Sequence, residues 1–195
     1  MKYIKILVTL AILLPASTIT RASLVTITPD DCTIGSCWTT EQQSALKISE
    51  VESLIGESDL VLLYKSEQSD SEGSIDSGLF ASSYDTTFLN SPTDPADALM
   101  EYIGGASIDC FACYLLIKDG DHSPAQYIFD LSDLSYLSIA GGWDGVMDLF
   151  LDGFWPDKGA ISHIAIYGVV PLPAAFWLFG TALIGFVGIS RRRSV

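Results

Sequence analysis

Residues 107–120 read SIDCFACYLLIKDG. The run from Cys113 to Lys118 is short and apolar, and Asp119 and Gly120 stop it. That pattern predicts a buried strand. In a thioredoxin-like redox site, a C-x2-C pair opens a helix whose N-terminus lowers the thiol pKa. Here Cys110 and Cys113 run straight into YLLIKDG, so the redox reading fails and the region reads as sheet.

Working outward, similar short segments recur. Strands are predicted at 24–28, 59–65, 84–89, 98–103, 113–118, 127–131, 147–151 and 160–167. One helix interrupts them. Ser49 and Glu52 form an S-x-x-E capping box, and the helix ends at Ile55, before Gly56. Residues 66–78 are acidic, Ser/Gly-rich and nearly devoid of apolar side chains, which predicts a mobile loop between strands. Short strands with frequent turns point to an all-β body, a single antiparallel β-sandwich of jelly-roll-like form. An N-terminal strand lying near the last strand is the favoured arrangement.

The two ends differ from this body. Lys2 and Lys5 precede an apolar stretch at 6–15, and Thr20 and Ala22 supply the small residues of a cut site. Residues 1–22 therefore read as a signal peptide cleaved between Ala22 and Ser23, and the Sec machinery is the expected carrier. At the other end, Val169 to Ile189 gives 21 residues without a charge, followed by Arg191, Arg192 and Arg193. As a helix that length spans about 31 Å, close to the bilayer hydrocarbon thickness. The arginines would hold its end in the cytoplasm. Three parts result: signal at 1–22, an extracellular domain at 23–168, and a C-terminal membrane segment at 169–195.

With the ends set aside, charge becomes lopsided. Four lysines against 24 acids leave the body at −20, where the whole chain carries −14. Such a surface is soluble and avoids nucleic acid and anionic lipid. Cys32 and Cys37 are spaced C-x4-C, and Cys110 and Cys113 C-x2-C. In an oxidising compartment four cysteines predict two disulfides. Two local pairs are favoured, with cross-pairing and a four-cysteine zinc site as alternatives.

The tail also carries a resemblance. Val170, Pro171, Leu172, Pro173 and Ala174 spell VPLPA, ahead of the apolar run and the cluster Arg191, Arg192 and Arg193. This tripartite tail resembles the VPLPA variant of the PEP-CTERM sorting signal. The resemblance implies recognition by an exosortase, a polytopic membrane cysteine peptidase of Gram-negative bacteria. It also implies removal of the tail, so that the inner membrane is only a transient anchor. Prolines at this point suit a peptidase, because they keep the preceding backbone extended. SIDCFACYLLIKDG, YIFDLS and FWPDKGAISHIAIYG are similar to ectodomains joined to such tails, a likeness that brings no activity with it.

Candidate chemistry is sparse. His122 lies in a D-G-D-H turn, and Asp119 and Asp121 there are candidate calcium ligands. Asp144, Asp148 and Asp152 recur through GWDGVMDLFLDG without matching a calcium loop. His163 is expected to be a structural histidine that shares one strand face with Ala165 and Tyr167. Trp143, Phe154 and Trp155 could line a sugar-binding face, with Trp143 and Trp155 the candidates for stacking on a ligand. Trp38 is expected to pack on the neighbouring disulfide. No G-x-S-x-G elbow or H-E-x-x-H helix occurs.

The sequence thus predicts an exported, non-enzymatic cell-surface or matrix protein. It would be sorted by an exosortase and, through the resemblance, associated with exopolysaccharide and biofilm. A carbohydrate-binding module, with or without calcium, is the first alternative, and a secreted hydrolase with dispersed carboxylates the second. A concave groove lined by paired acids and aromatics would favour the hydrolase. A flat surface would favour the non-enzymatic reading.

Overall fold

The computed structural model describes residues 23–69, 74–89, 96–119, 121–155 and 159–170. The signal peptide expected at 1–22, the residues from Pro171 onward and their arginine cluster lie outside the described residues.

The described residues are mostly β, with two sheets and one α-helix. In order, the strands are β1 (Leu24–Ile27), β2 (Cys37–Thr40), β3 (Leu60–Gln68), β4 (Ser74–Ser77), β5 (Tyr84–Leu89), β6 (Asp97–Tyr102), β7 (Cys113–Lys118), β8 (Gln126–Asp130), β9 (Asp148–Leu151) and β10 (His163–Val169). The helix α1 (Ile48–Ile55) falls between β2 and β3. One sheet has the order β1-β9-β6-β5, the other β2-β8-β7-β10-β3-β4.

Two apolar clusters explain the sequence patterns. Between the sheets, Val25, Ile27, Met100, Leu149 and Leu151 meet Leu115, Ile117, Phe129, Ile164 and Ile166, a sandwich-like arrangement. On the far face of the six-stranded sheet, Val51 of α1 packs with Tyr114, Leu116, Ile128, Ala165 and Tyr167. β7 and β10 are therefore covered on both sides, which is why CYLLIK reads as a continuous apolar run and not as an alternation. His163 does share a face with Ala165 and Tyr167, and that face is buried as well.

Three expectations change. First, the sandwich is not purely antiparallel. β1 runs parallel to β9, with Leu24 opposite Asp148 and Ile27 opposite Leu151. Alternation places Val25 and Ile27 on the core face but does not fix strand direction, and no hairpin links two strands so far apart in sequence. β1 is also not beside the last strand: β10 lies between β7 and β3 in the other sheet.

Second, the stretch 66–78 is not simply a loop. β3 continues through Gln68 and pairs with β4, Lys65 opposite Ser77 and Gln68 opposite Ser74. An edge strand needs ladder bonds but little apolar surface, so a polar segment serves. Lys65 Nζ meets Glu67 Oε1 at 2.6 Å on this ribbon. The Tyr64 hydroxyl bonds Asp76 Oδ1 at 3.2 Å and Thr86 Oγ1 at 2.8 Å, joining β4 to β5 across the two sheets.

Third, the helix cap moves two residues. Glu50 Oε2 accepts the Lys47 N–H at 2.7 Å and closes the first turn. Glu52 instead accepts the Leu60 N–H at 2.9 Å, tying α1 to β3.

Candidate functional site

A cleft of about 460 Å³ opens where the end of the four-stranded sheet meets β8. It is lined by Thr28, Pro29, Asp30, Tyr127, Asp152, Gly153 and Trp155. Three separate segments build it, 28–30, the strand around Tyr127, and 152–155, and each is held from beneath.

The β1 side is set by a short turn, Pro29–Thr33. Asp31 Oδ2 accepts the Thr28 N–H at 2.7 Å and the Thr28 hydroxyl at 2.8 Å. The Cys32–Cys37 disulfide closes the turn, with Cα atoms 5.0 Å apart. Asp30 is left exposed at the rim. The β9 side follows from the parallel pair. The Asp152 N–H bonds the Ile27 carbonyl at 3.0 Å, and the Gly153 N–H bonds Asp97 Oδ1 at 2.8 Å. Asp152 is exposed on the rim as well.

Aromatic rings make the wall. Phe154 is fully buried and stands edge-on to Tyr127, with centroids 5.3 Å apart and planes at 82°. Tyr127 and Trp155 are half-buried, 5.4 Å apart at 58°. Trp155 Nε1 donates to the Pro124 carbonyl at 2.9 Å, which fixes the indole. Its backbone sits at φ 51°, a left-handed conformation that a bulky residue adopts only when its surroundings impose it. Gly159 is part of that imposition. Its N–H bonds the Trp155 carbonyl at 3.0 Å, and any side chain there would run into Trp155 Cβ and the Asp119 carboxylate. Burial, then the charges of Asp30 and Glu41, push the Tyr127 hydroxyl above the usual tyrosine range, so it remains a donor.

The residues singled out from sequence are distributed differently from expectation. Trp155 lines the cleft. Trp143 does not: it is 1 % exposed, its Nε1 donates to the Met147 carbonyl at 2.7 Å, and its ring packs on Tyr84. A side chain so enclosed cannot stack on a ligand. Trp38 packs edge-on to Tyr114 in the layer under α1, not on the disulfide as its neighbour in sequence suggested.

Asp119 pairs with His122, Oδ2 to Nδ1 at 2.6 Å, while Asp121 stays exposed. Asp144 accepts the Val146 and Met147 N–H groups, and Asp148 accepts the Tyr102 N–H at 3.1 Å. Asp144 is thus spent on a local turn and Asp148 on the end of β6, and Asp152 alone of the GWDGVMDLFLDG acids lines the cleft. Among the described residues no three His, Cys, Asp or Glu side chains converge as a metal site would need.

His163 is 6 % exposed, between Glu67 and Lys118 on the flanking strands. Burial, with Lys65 and Lys118 adding to it, holds its pKa down at about 4. It is neutral at pH 7 and lies apart from the cleft residues. The cysteines form the two local pairs, Cys32–Cys37 and Cys110–Cys113, which are compatible with an oxidising compartment. Comparison with protein-family models, curated proteins and solved structures finds no match to the chain.

Sequence reasoning missed Tyr127, Asp30 and the cleft itself. The available signal was the Ser123–Pro124 turn pair and the adjacent aromatics Phe154 and Trp155.

Proposed function

We propose that this chain is an exported, non-enzymatic surface or matrix protein. Its body, a jelly-roll-like sandwich, is delivered through a signal peptide and held by a VPLPA-type tail until an exosortase removes that tail. The observation that carries the reading is the junction at Val169 and Val170. β10 stays hydrogen-bonded to its last residue, with the Val169 N–H on the Ala112 carbonyl at 3.1 Å. Val170 then opens the VPLPA motif. The last strand of the body thus directly precedes the motif in sequence. Val170 borders a small cavity of about 90 Å³ with Leu63, Phe80 and Ile108.

Two disulfides and the −20 body agree with a soluble domain outside the cytoplasm. Exopolysaccharide is the partner this reading implies, and the inner membrane serves only in transit.

Replacing Pro171 and Pro173 together by alanine tests it in the native host. The variant is expected to accumulate uncut in the membrane fraction while wild type is released from it. Equal release of both proteins would count against a VPLPA-directed cut.

A further inference from the structure

We propose that the cleft between Asp30 and Trp155 binds an amine-bearing carbohydrate: Tyr127 and Trp155 stack on the sugar rings, and Asp30 and Asp152 pair with the amines. This goes beyond the sorting reading and does not depend on it.

Size comes first. A volume of about 460 Å³ falls in the range of small-ligand sites and suits one or two sugar rings. The wall chemistry then narrows the class. Pyranose rings have an apolar face and a polar edge, so they bind against half-buried aromatics ringed by hydrogen-bonding groups. Tyr127 and Trp155 provide the first, and the Tyr127 and Thr28 hydroxyls and the backbone around Gly153 provide the second.

Preorganisation is the second argument. The indole is tied by its Nε1 bond to Pro124, backed by Phe154, and held at a left-handed φ of 51°. A fold that stabilises so unfavourable a backbone angle at a half-exposed tryptophan is holding that ring for use. A rigid aromatic loses little entropy on binding.

Charge selects among sugars. Asp30 and Asp152 border the aromatic wall from opposite segments, and among the described residues neither carboxylate takes part in a hydrogen bond or salt bridge. Glu41, nearby, already accepts the Ser123 hydroxyl at 2.9 Å. Uronic or sulfated chains would meet two carboxylates and a body of −20. A hexosamine chain with free amines meets them as counter-ions, and an ammonium group over the Tyr127 or Trp155 face adds a cation–π contact.

The acids and aromatics also satisfy the pattern of a glycoside hydrolase, but the burial does not. A general acid in such enzymes sits enclosed in an apolar pocket, and both Asp30 and Asp152 stand exposed to water. The geometry points to binding without cleavage.

Calorimetry on the full-length chain in detergent, at mildly acidic pH, tests this with three probes: a glucosamine pentamer, its fully N-acetylated counterpart and cellopentaose. The glucosamine pentamer should bind about fivefold or more tighter than the other two, and the gap should close as salt rises to about 0.5 M. W155A should weaken all three by about tenfold or more. W155F, which keeps a ring and loses the Nε1 bond, should fall between, and it keeps the test informative if W155A is poorly folded. The D30N/D152N pair should bring the glucosamine pentamer down to the level of its acetylated form. The D85N/E101Q pair removes two acids that face each other on β5 and β6 of the same sheet, outside the cleft lining, and should change nothing beyond about twofold. Equal affinity for the three probes, or an equal loss in D85N/E101Q, would overturn the proposal in favour of no site or of diffuse charge attraction. Shortened oligomers in the cell after titration, read by mass spectrometry, would overturn it in favour of hydrolysis.

Discussion

The Tyr84 hydroxyl donates to the Gly145 carbonyl at 2.7 Å, linking the edge strand β5 to the turn before β9 across 61 residues of chain. The same oxygen accepts the Ile108 N–H at 2.7 Å. Burial pushes the phenol up to about 12, so it keeps its proton and serves both partners. Around it the rings of Tyr64, Tyr102 and Trp143 stand within 5.5–5.9 Å. This cluster closes one end of the core. Tyr84→Phe leaves an N–H and a carbonyl without their partner, and should cost about 2–4 kcal/mol in urea unfolding. Gly145→Ala should cost at least as much, because Gly145 sits at φ 76° with its Cα side pressed on the Ile108 carbonyl. Neither change touches the cleft lining, so folded Tyr84→Phe protein should bind carbohydrate as wild type does.

Trp143 and Trp155 should part company under mutation. Trp143→Ala opens a large void in the sheet interface and removes the Nε1 bond to Met147, a loss of about 3–5 kcal/mol. Trp155→Ala removes a half-exposed ring and leaves no buried void, though the Cβ and its left-handed strain remain, so its stability cost should be clearly smaller. Chemical denaturation of the two variants side by side measures the contrast.

His163 predicts a pH dependence with a definite sign. Its folded pKa is lowered to about 4, by burial first and the neighbouring lysines second, against an ordinary value of 6.5. The unfolded chain therefore binds the proton first as pH falls. The stability from keeping this ring neutral is complete above about pH 6.5 and is lost progressively as pH drops toward 4, by no more than about 3 kcal/mol. His163→Gln should flatten that part of the curve. Glu50 and Asp133, whose carboxyls are held below the usual range, contribute only at lower pH and equally in both proteins, whereas Glu67, lowered chiefly by Lys65 and slightly by His163, loses that last small part in the variant. Urea unfolding at stepped pH, wild type against variant, isolates the difference.

The Cys32–Cys37 bridge should matter to site and fold together. It closes a short loop, so the C32S/C37S pair should lose about 2 kcal/mol by chain entropy. Since the bridged turn Pro29–Thr33 carries Asp30, glucosamine-pentamer binding should weaken several-fold as well. Unchanged binding in the folded variant would mean that the Asp31 bonds to Thr28 hold the turn unaided.

The parts of this molecule readable from sequence are those where local pattern and burial agree. CYLLIK gave β7 to the residue because both of its faces are covered, and GAISHIAIYG gave β10 for the same reason. Cysteine spacing favoured the pairs that form. β4 was illegible, because an edge strand paired through its backbone needs no apolar signature. The parallel direction of β1 was illegible too, since Val25 and Ile27 would face the core either way. The cleft is the clearest case. Its wall comes from β8, its rims from the ends of β1 and β9, and nothing local separates Trp155, which faces it, from Trp143, which the sheets enclose.

Intact mass of the exported protein, from cells with and without the exosortase, tests the central claim most directly. With the peptidase present, the protein should begin at Ser23 and end near Pro171 to Ala174, without Arg191, Arg192 and Arg193. Without it, the arginine tail should remain. Identical species carrying the tail in both strains would contradict the account.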